Sequence, residues 1–405
     1  MGFNLHGKQI VLGVTGGIAA YKSVELLRLL VKEEALVRVI MTANAEHFVG
    51  PMTFEVLSQQ RVFRTLFETT DEAAVQHIQW AQEADAVVIA PATANIIGKM
   101  AAGIADDALS TFMLAVTCPV LICPAMNSHM YASKPVQRNI QTLKSFGYNV
   151  LEPDSGSLAC GTTGPGRLPD PATIFEAVQG VLAPKDYNGR KVLITAGPTR
   201  EAIDPVRFIT NPSSGKMGYA IARGAAMRGA DVTLISGPST LTPPLGVRLL
   251  NVTSAADMLE AVLSEMDHHH IIIKTAAVAD FRPAAISDLK IKKENAQLSI
   301  PLERTQDILK TVGQRKKDQI VVGFAAETHE LDTFATGKLK AKNLDLIVGN
   351  LIGTADAGFN CDTNRVTLYF KDDTCEKVAL MSKEDLAHLL LDRIAGGAGF
   401  DRLGG

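Results

Sequence analysis

The residues best suited to chemistry fall in two clusters. In the first, "GVTGGIAAYK" (residues 13–22) sets Thr15, Gly16 and Gly17 between an apolar run and a helical stretch. Backbone N–H groups and the helix dipole at such a junction receive a phosphate. The spacing departs from the Gly-x-Gly-x-x-Gly dinucleotide fingerprint, and "VIMTANA" ends the next strand with Thr42 and Asn44 where an acidic residue would grip a ribose diol. That favours a mononucleotide over NAD; the bland alternative is a tight turn without a ligand. Farther along, "APATANIIGKMAAGIADDALST" (90–111) leaves a strand through Pro91, Thr93, Ala94 and Asn95 into a run of small residues. Small side chains let a flat ring approach the backbone, and they equally allow close helix packing. His77, Asn127 and Cys160 add a group that exchanges protons near neutrality, an amide and a thiol. A lone histidine is ordinarily surface or core decoration, and Cys160 reads either as an incidental loop cysteine or as part of a lid built from Gly, Ser, Thr and Pro.

The second cluster centres on "NPSSGKMG" (211–218). A Walker loop needs Ser or Thr after its Gly-Lys, whereas Ser213 and Ser214 precede Gly215 and Lys216. Hydroxyls and N–H groups at the start of a helix could surround a triphosphate in a cradle of another design, or simply cap the helix.

Holding such loops requires sheets. Apolar runs "KQIVLGV", "VRVIMT", "DAVVIAPA", "PVLICPA" and "YNVLEP" alternate with helical stretches at 18–33, 94–115 and 128–145. In the second half "KVLITAG", "DVTLISG", "HIIIKTAA", "IVVGFAAE" and "LDLIVGN" repeat the pattern, and "RVTLYF" with "EKVALM" predicts an antiparallel edge hairpin before a closing helix at 382–395. Continuous apolar strands separated by helices imply parallel sheets covered on both faces, with ligands beyond the strand C-termini. The expected fold class is α/β, with two domains, each an open, mostly parallel, Rossmann-like sheet with flanking helices. "HGKQIVLGVTGG" and "NGRKVLITAGPT" open alike, and the linker "APKDYNGR" sets the boundaries at 1–187 and 188–405. The helix before "VRVI" lacks the usual glycine C-cap.

At 405 residues, 46% hydrophobic and 20% charged, the chain is long enough for two packed cores. A net charge of −3 gives no global footprint for nucleic acid or an anionic membrane. No stretch has the length of a membrane span and the N-terminus lacks a signal-peptide layout, so a cytoplasmic protein is expected. The five cysteines, Cys118, Cys123, Cys160, Cys361 and Cys375, form no Cys-x-x-Cys pair and should be reduced thiols. His268, His269 and His270 tempt a metal reading, but strand neighbours point to opposite faces, and a polar strand entrance is the better reading.

Taken together, "GVTGGIAAYK", "VQHIQWA" (75–81), "APATANIIGKMAAGIADD", "PAMN" (124–127) and "GSLACGTTGPGR" (156–167) resemble the homo-oligomeric flavin-containing cysteine decarboxylases, in particular those acting on phosphopantothenoylcysteine. "TAGPTREAIDPVRFITNPSSGKMG" (195–218), "AAVADFRP" (276–283), "LKIKK" (289–293), "TQDIL" (305–309), "GFAAET" (323–328) and "KLKAKNLDLIVGN" (338–350) resemble phosphopantothenate–cysteine ligases. The whole is similar to the bifunctional coenzyme A biosynthesis family.

For the first half the resemblance implies a flavodoxin-like domain binding FMN through Thr15, Gly16, Gly17, Thr42, Pro91, Thr93 and Ala94. The substrate's cysteine thiol is oxidised so that its carboxylate can leave. His77 acts as acid/base, Asn127 grips the carboxylate and Cys160 returns a proton. For the second half it implies that CTP activates 4'-phosphopantothenate as an acyl-cytidylate, which the cysteine amine attacks, with Mg²⁺ assisting at Asp280. Gly197, Ser213, Ser214, Gly215 and Gly218 belong to the phosphate loop. Lys290 neutralises charge during cytidylate formation, although a run such as "KIKKE" is normally a solvated face. Lys338 and Lys342 grip phosphate, Gln306, Asp307, Ile308 and Leu309 border the nucleotide, Phe324 and Asn350 line its base and sugar, and Asn211 binds the intermediate through its side-chain amide. Trimeric flavoprotein cores and dimeric ligase domains, up to a dodecamer, are implied as well.

Lys274 and Thr275 depart from the pattern, standing where small apolar residues are expected. The competing readings are a flavin-binding regulatory or interaction protein with an inactive decarboxylase half, against which the intact set of His77, Asn127 and Cys160 weighs, and an ATP-using ligase with a prenyl-type flavin partner.

Overall fold

The runs of β-branched residues become strands that are buried along their length, as a strand covered on both faces must be. All of Ala86–Ala92 is buried, for example. The computed structural model describes residues 5–66, 73–157, 161, 163–292, 299–327, 329–351, 361–397 and 399–401. They form two units divided between Ala183 and Pro184. The linker residue Tyr187 belongs to the second, because its ring is fully buried edge-on against Phe400 and its hydroxyl donates to Leu391 O at 2.7 Å.

The first unit carries a five-stranded parallel sheet in the order Leu36–Met41, Gln9–Val14, Ala86–Ala92, Val120–Pro124, Asn149–Val150. Strand order reverses at Gln9–Val14, so the loops after Val14 and Ala92 open side by side at the switch point, where ligands of such sheets bind. The helix Ala20–Lys32 follows the first loop. Its C-terminus does without glycine because Glu34 adopts the left-handed conformation (φ 59°), and the Glu34 carboxylate meets His6 Nδ1 at 2.5 Å.

Two stretches expected as single helices are each broken. Residues 94–115 form Ala94–Ala102 and Ala108–Ala115: Gly103 ends the first in a left-handed cap, and Asp107 starts the second through a capping box with Ser110. Residues 128–145 form Ser128–Ala132 and Lys134–Ser145, because Pro135 disfavours the helical conformation before it and gives no N–H. The Gly-rich stretch read as a lid is an antiparallel pair, Asp154–Ser157 with Thr163–Arg167, and Cys160 lies outside the described residues.

The second unit is built on eight strands in the order Arg248–Asn251, Asp231–Ser236, Lys191–Ala196, Ile271–Lys274, Ile320–Glu327, Leu346–Leu351, Thr363–Phe370, Cys375–Ser382. The first six pair in parallel and the last two form the antiparallel edge hairpin that the sequence predicts. The half-exposed edge strand Arg248–Asn251 lacks a long apolar run, which hides it from sequence patterning. Two short antiparallel pairs, Arg200–Ala202 with Phe208–Thr210 and Phe281–Pro283 with Leu302–Arg304, stand outside this sheet. Strand order reverses at Lys191–Ala196, so the second switch point lies between Gly197 and the segment after Lys274.

Candidate active sites

At the first switch point Thr15 ties the two loops together. Its hydroxyl donates to Pro91 O at 2.7 Å and accepts from Thr93 N at 3.1 Å. Gly16 is forced by space: a Cβ there would lie 2.4 Å from Asn44 Cβ and 2.8 Å from the Asn44 carbonyl. Gly16→Ala is therefore expected to displace the loop, at a cost of about 1–3 kcal/mol. The visible absorbance of the purified variant should show lost flavin while its circular dichroism stays that of the wild type.

Gly16, Gly17 and Thr93 line a cavity of about 610 Å³, with Asn127, Lys22 and Arg167 on its other walls. Asn127 starts the helix Ser128–Ala132, and its Oδ1 accepts from His129 N at 2.8 Å. The amide nitrogen is thus the end suited to a carboxylate. Lys22 is held by Leu168 O at 3.0 Å and Asp170 Oδ1 at 3.1 Å.

Four buried side-chain polar atoms in this unit have no hydrogen-bond partner among the described residues, Arg38 Nη1, Thr42 Oγ1, His77 Nδ1 and Thr111 Oγ1. Leaving such groups unpaired costs about 1–3 kcal/mol each. The cradle at Gly16, which only glycine fits, suits a phosphate. His77, on the helix Ala73–Glu83, is not among the residues lining the cavity, nor are Thr15, Thr42, Pro91 and Ala94.

At the second switch point Gly197 (φ 72°) and Gly215 (φ 82°) back onto each other: a Cβ on Gly215 would be 3.2 Å from Gly197 N. Gly215 precedes the helix Lys216–Met227, whose N-terminus has no side-chain cap, so its first N–H groups face the loop. Gly218 lets that helix press on the sheet, where a Cβ would meet Ala196 Cβ and Thr275 Oγ1, each at 2.5 Å. Ser213 N donates to Asn211 O at 2.8 Å, and Lys216 Nζ pairs with Asp362 at 2.5 Å. The Asn211 amide nitrogen donates to Ala277 O and Val278 O, both at 3.1 Å. That refines the sequence reading: the donor end of the amide is engaged with backbone, and Oδ1 is the atom left for a ligand.

Across the sheet a set of charges converges. Lys342 Nζ meets Asp307 at 2.7 Å, Lys338 Nζ meets Glu327 at 2.5 Å, and Asp307 also caps the helix Ile308–Arg315 by accepting from Lys310 N at 3.0 Å. Burial pushes Asp307 up, but Lys342 and the Lys310 N–H outweigh it and hold the carboxyl below its ordinary range. Asn350 Oδ1 is buried without a hydrogen-bond partner among the described residues.

The comparisons follow this division. Residues 3–183 match the family described as Flavoprotein, and residues 187–397 match the DNA/pantothenate metabolism flavoprotein C-terminal domain. The coenzyme A biosynthesis bifunctional protein CoaBC of Bacillus subtilis (strain 168) is 50% identical over 395 residues, covering 96% of this chain and 97% of that protein. That of Escherichia coli (strain K12) is 46% identical over 396 residues, with 96% and 97% covered. The chain belongs to the coenzyme A biosynthesis bifunctional family. The solved C-terminal domain of such a protein aligns at 47% identity, covering 52% of this chain and 96% of that one, with a TM-score of 0.46.

Within this member of the family, not every residue of the expected nucleotide site joins the charged set. Ile308 and Leu309 point into the hydrophobic core, which leaves only their backbone to a ligand. Gln306 lies at the helix entrance beside the set, whereas Phe324, on the strand Ile320–Glu327, packs against the core on the other face of the sheet. Lys290 is exposed on a loop anchored elsewhere, where Ile291 N donates to Asp204 Oδ2 at 3.1 Å. Asp280 is exposed, with its carbonyl accepting from Thr305 N at 3.0 Å. Among the described residues no group of three metal-ligating side chains gathers. Mg²⁺ ordinarily takes one or two carboxylates plus substrate phosphates, so a lone Asp280 is compatible with it.

Two of the three histidines face apart: His269 bonds Glu265 O and Thr233 Oγ1, while His270 Nδ1 accepts from Lys191 N. Sequence reading missed Lys22 and Arg167, whose only sequence signal is that each closes one of the Gly-rich motifs around the cavity.

Proposed function

We propose that this bifunctional decarboxylase and ligase of coenzyme A biosynthesis carries out two consecutive steps. The second unit joins 4'-phosphopantothenate to cysteine at the expense of CTP, and the first decarboxylates 4'-phosphopantothenoylcysteine to 4'-phosphopantetheine with FMN. The observation that carries the reading is the pair of glycine-built loops at two switch points, each shaped for phosphate, within a chain matched end to end by the family.

Thr15, Gly16, Gly17, Thr93 and Ala94 hold the FMN phosphate and ring edge, with Thr42 Oγ1 as a hydrogen-bonding partner and Pro91 as a wall. FMN supplies the reversible two-electron oxidation that turns the substrate carboxylate into a leaving group. Asn127 donates from its amide nitrogen to that carboxylate, His77 takes and returns the substrate's proton, and Cys160 protonates the product carbon skeleton. Because His77 does not line the cavity of its own subunit, a homo-oligomer that brings the helix Ala73–Glu83 of one copy to the cavity of another completes the site.

In the ligase unit the loop of Gly197, Ser213, Ser214, Gly215 and Gly218 holds the CTP triphosphate on the helix N-terminus. Lys338 and Lys342 exchange their carboxylate partners for phosphate oxygens, and Lys290 closes over the site from its exposed loop. Phe324, Asn350 and the backbone at 306–309 hold the base and sugar. Mg²⁺, held by Asp280 and the phosphates, would supply further charge neutralisation. Asn211 fixes the segment 277–278 and turns Oδ1 toward the cysteine amine as it attacks the acyl-cytidylate.

A cytoplasmic enzyme is consistent with the free thiols at Cys118, Cys123 and Cys375, and no described helix is long and apolar enough to cross a membrane. The test is purification followed by mass analysis. A yellow protein that converts CTP, cysteine and 4'-phosphopantothenate into pyrophosphate and 4'-phosphopantetheine bears the reading out. A colourless protein, equal turnover with ATP in place of CTP, or accumulation of no coupled product overturns it.

A further inference from the structure

Lys274 ends the strand Ile271–Lys274 at the second switch point, the last residue before the segment that carries Ala277 and Val278. Along this strand side chains alternate: Ile271 and Ile273 enter the core beneath the helix Lys216–Met227, whereas Ile272 enters the opposite core with Ile308, Leu309, Ala335 and Leu339. Lys274 shares the face of Ile272. It therefore rises toward the entrance of the helix Ile308–Arg315 and the end of the helix Leu331–Ala341, where Asp307, Lys338 and Lys342 lie.

The Lys274 ammonium donates to Ala276 O at 3.1 Å, and among the described residues no carboxylate lies within ion-pair distance of it. On the same side Asp307 is engaged by Lys342 and Glu327 by Lys338, while Asp280 acts on the ammonium only from beyond ion-pair distance. Burying a lysine with one neutral acceptor and two like charges close by is unfavourable unless an anion arrives to join it.

We propose that Lys274 is a further phosphate ligand of the nucleotide in the ligase unit. The inference rests on the reading of this pocket as the CTP site. Without a ligand, burial first and Lys342 second push the Lys274 amine down to about 8, partly countered by Asp307 and Asp280, with Lys338 adding to the depression. A phosphate beside it favours the charged form and raises the amine again. Wild-type protein at pH 8 should thus take up as much as about half a proton on binding CTP, and almost none at pH 6, where the amine is already charged.

The experiment is calorimetric titration of the full chain with CTP, in buffers of different ionisation enthalpy, for wild type, Lys274→Met and Lys274→Arg. Methionine keeps the stem's packing and removes a partly buried charge, so the thermal melt should not fall. Expected are CTP binding weakened about tenfold or more and no proton uptake in the Met variant, with affinity restored but still no uptake in the Arg variant. Binding in Lys274→Met within about twofold of wild type, or proton uptake that survives the substitution, overturns the proposal while leaving the CTP reading intact. Wild-type protein that fails to bind CTP at all overturns both.

Discussion

Asn211→Asp should slow amide formation by about 10²- to 10³-fold while CTP is still consumed, the size of effect seen when one positioned hydrogen-bonding group leaves a reacting centre. Two bonds to Ala277 O and Val278 O hold the native side chain. A carboxylate has no N–H to give, so the substitution sets an anionic oxygen against two carbonyl oxygens and releases the segment that leads to Asp280. The loop before Ser213 then no longer presents its oxygen to the cysteine amine. Activation depends on the glycine loop and the lysines instead, so acyl-cytidylate should form and persist. Quenched time courses that follow pyrophosphate and phosphopantothenoylcysteine separately make the measurement. Pyrophosphate and amide appearing together at the wild-type rate would remove Asn211 from the mechanism.

For His77→Asn the expected outcome is loss of decarboxylation by about 10²- to 10⁴-fold with flavin content unchanged, the range that general acid–base catalysis contributes. Asparagine matches the imidazole roughly in size and can hydrogen-bond, but it cannot carry a proton near neutrality. Nδ1 of the native ring is buried and unpartnered among the described residues, a cost retained where a ligand or a neighbouring subunit later supplies the partner. Because the cavity walls come from other elements, flavin should remain bound, and ligation in the other unit should continue. The variant would then accumulate 4'-phosphopantothenoylcysteine, readable by mass. Loss of colour along with activity would instead mean that His77 holds the fold or the flavin.

Much of this protein was legible along the chain because the information is local. Runs such as "DAVVIAPA" are too apolar to face water on either side, which dictates a parallel sheet under helices and sends the loops of interest to strand C-termini. Gly16, Gly197 and Gly215 could be picked out because a loop turning against a backbone has no room for a side chain, and that need is written as glycine.

What the chain order could not say is which atom of a chosen residue is engaged and what lies across the sheet from it. Asn211 was legible as an amide, but only the folded loop determines that its nitrogen is engaged at 277–278. Ile308 and Leu309 read as neighbours of a nucleotide, but only the fold shows that the helix Ile308–Arg315 turns their side chains into the core and leaves their backbone for that part. Lys274 read as an anomaly on its strand. Its setting comes from Asp307, Lys338 and Lys342, residues at least thirty positions away that the sheet's crossovers bring beside it. Local sterics and hydrophobic burial act between near neighbours and so are recorded in sequence patterns, whereas the electrostatic setting of a side chain is a sum over everything the fold draws close.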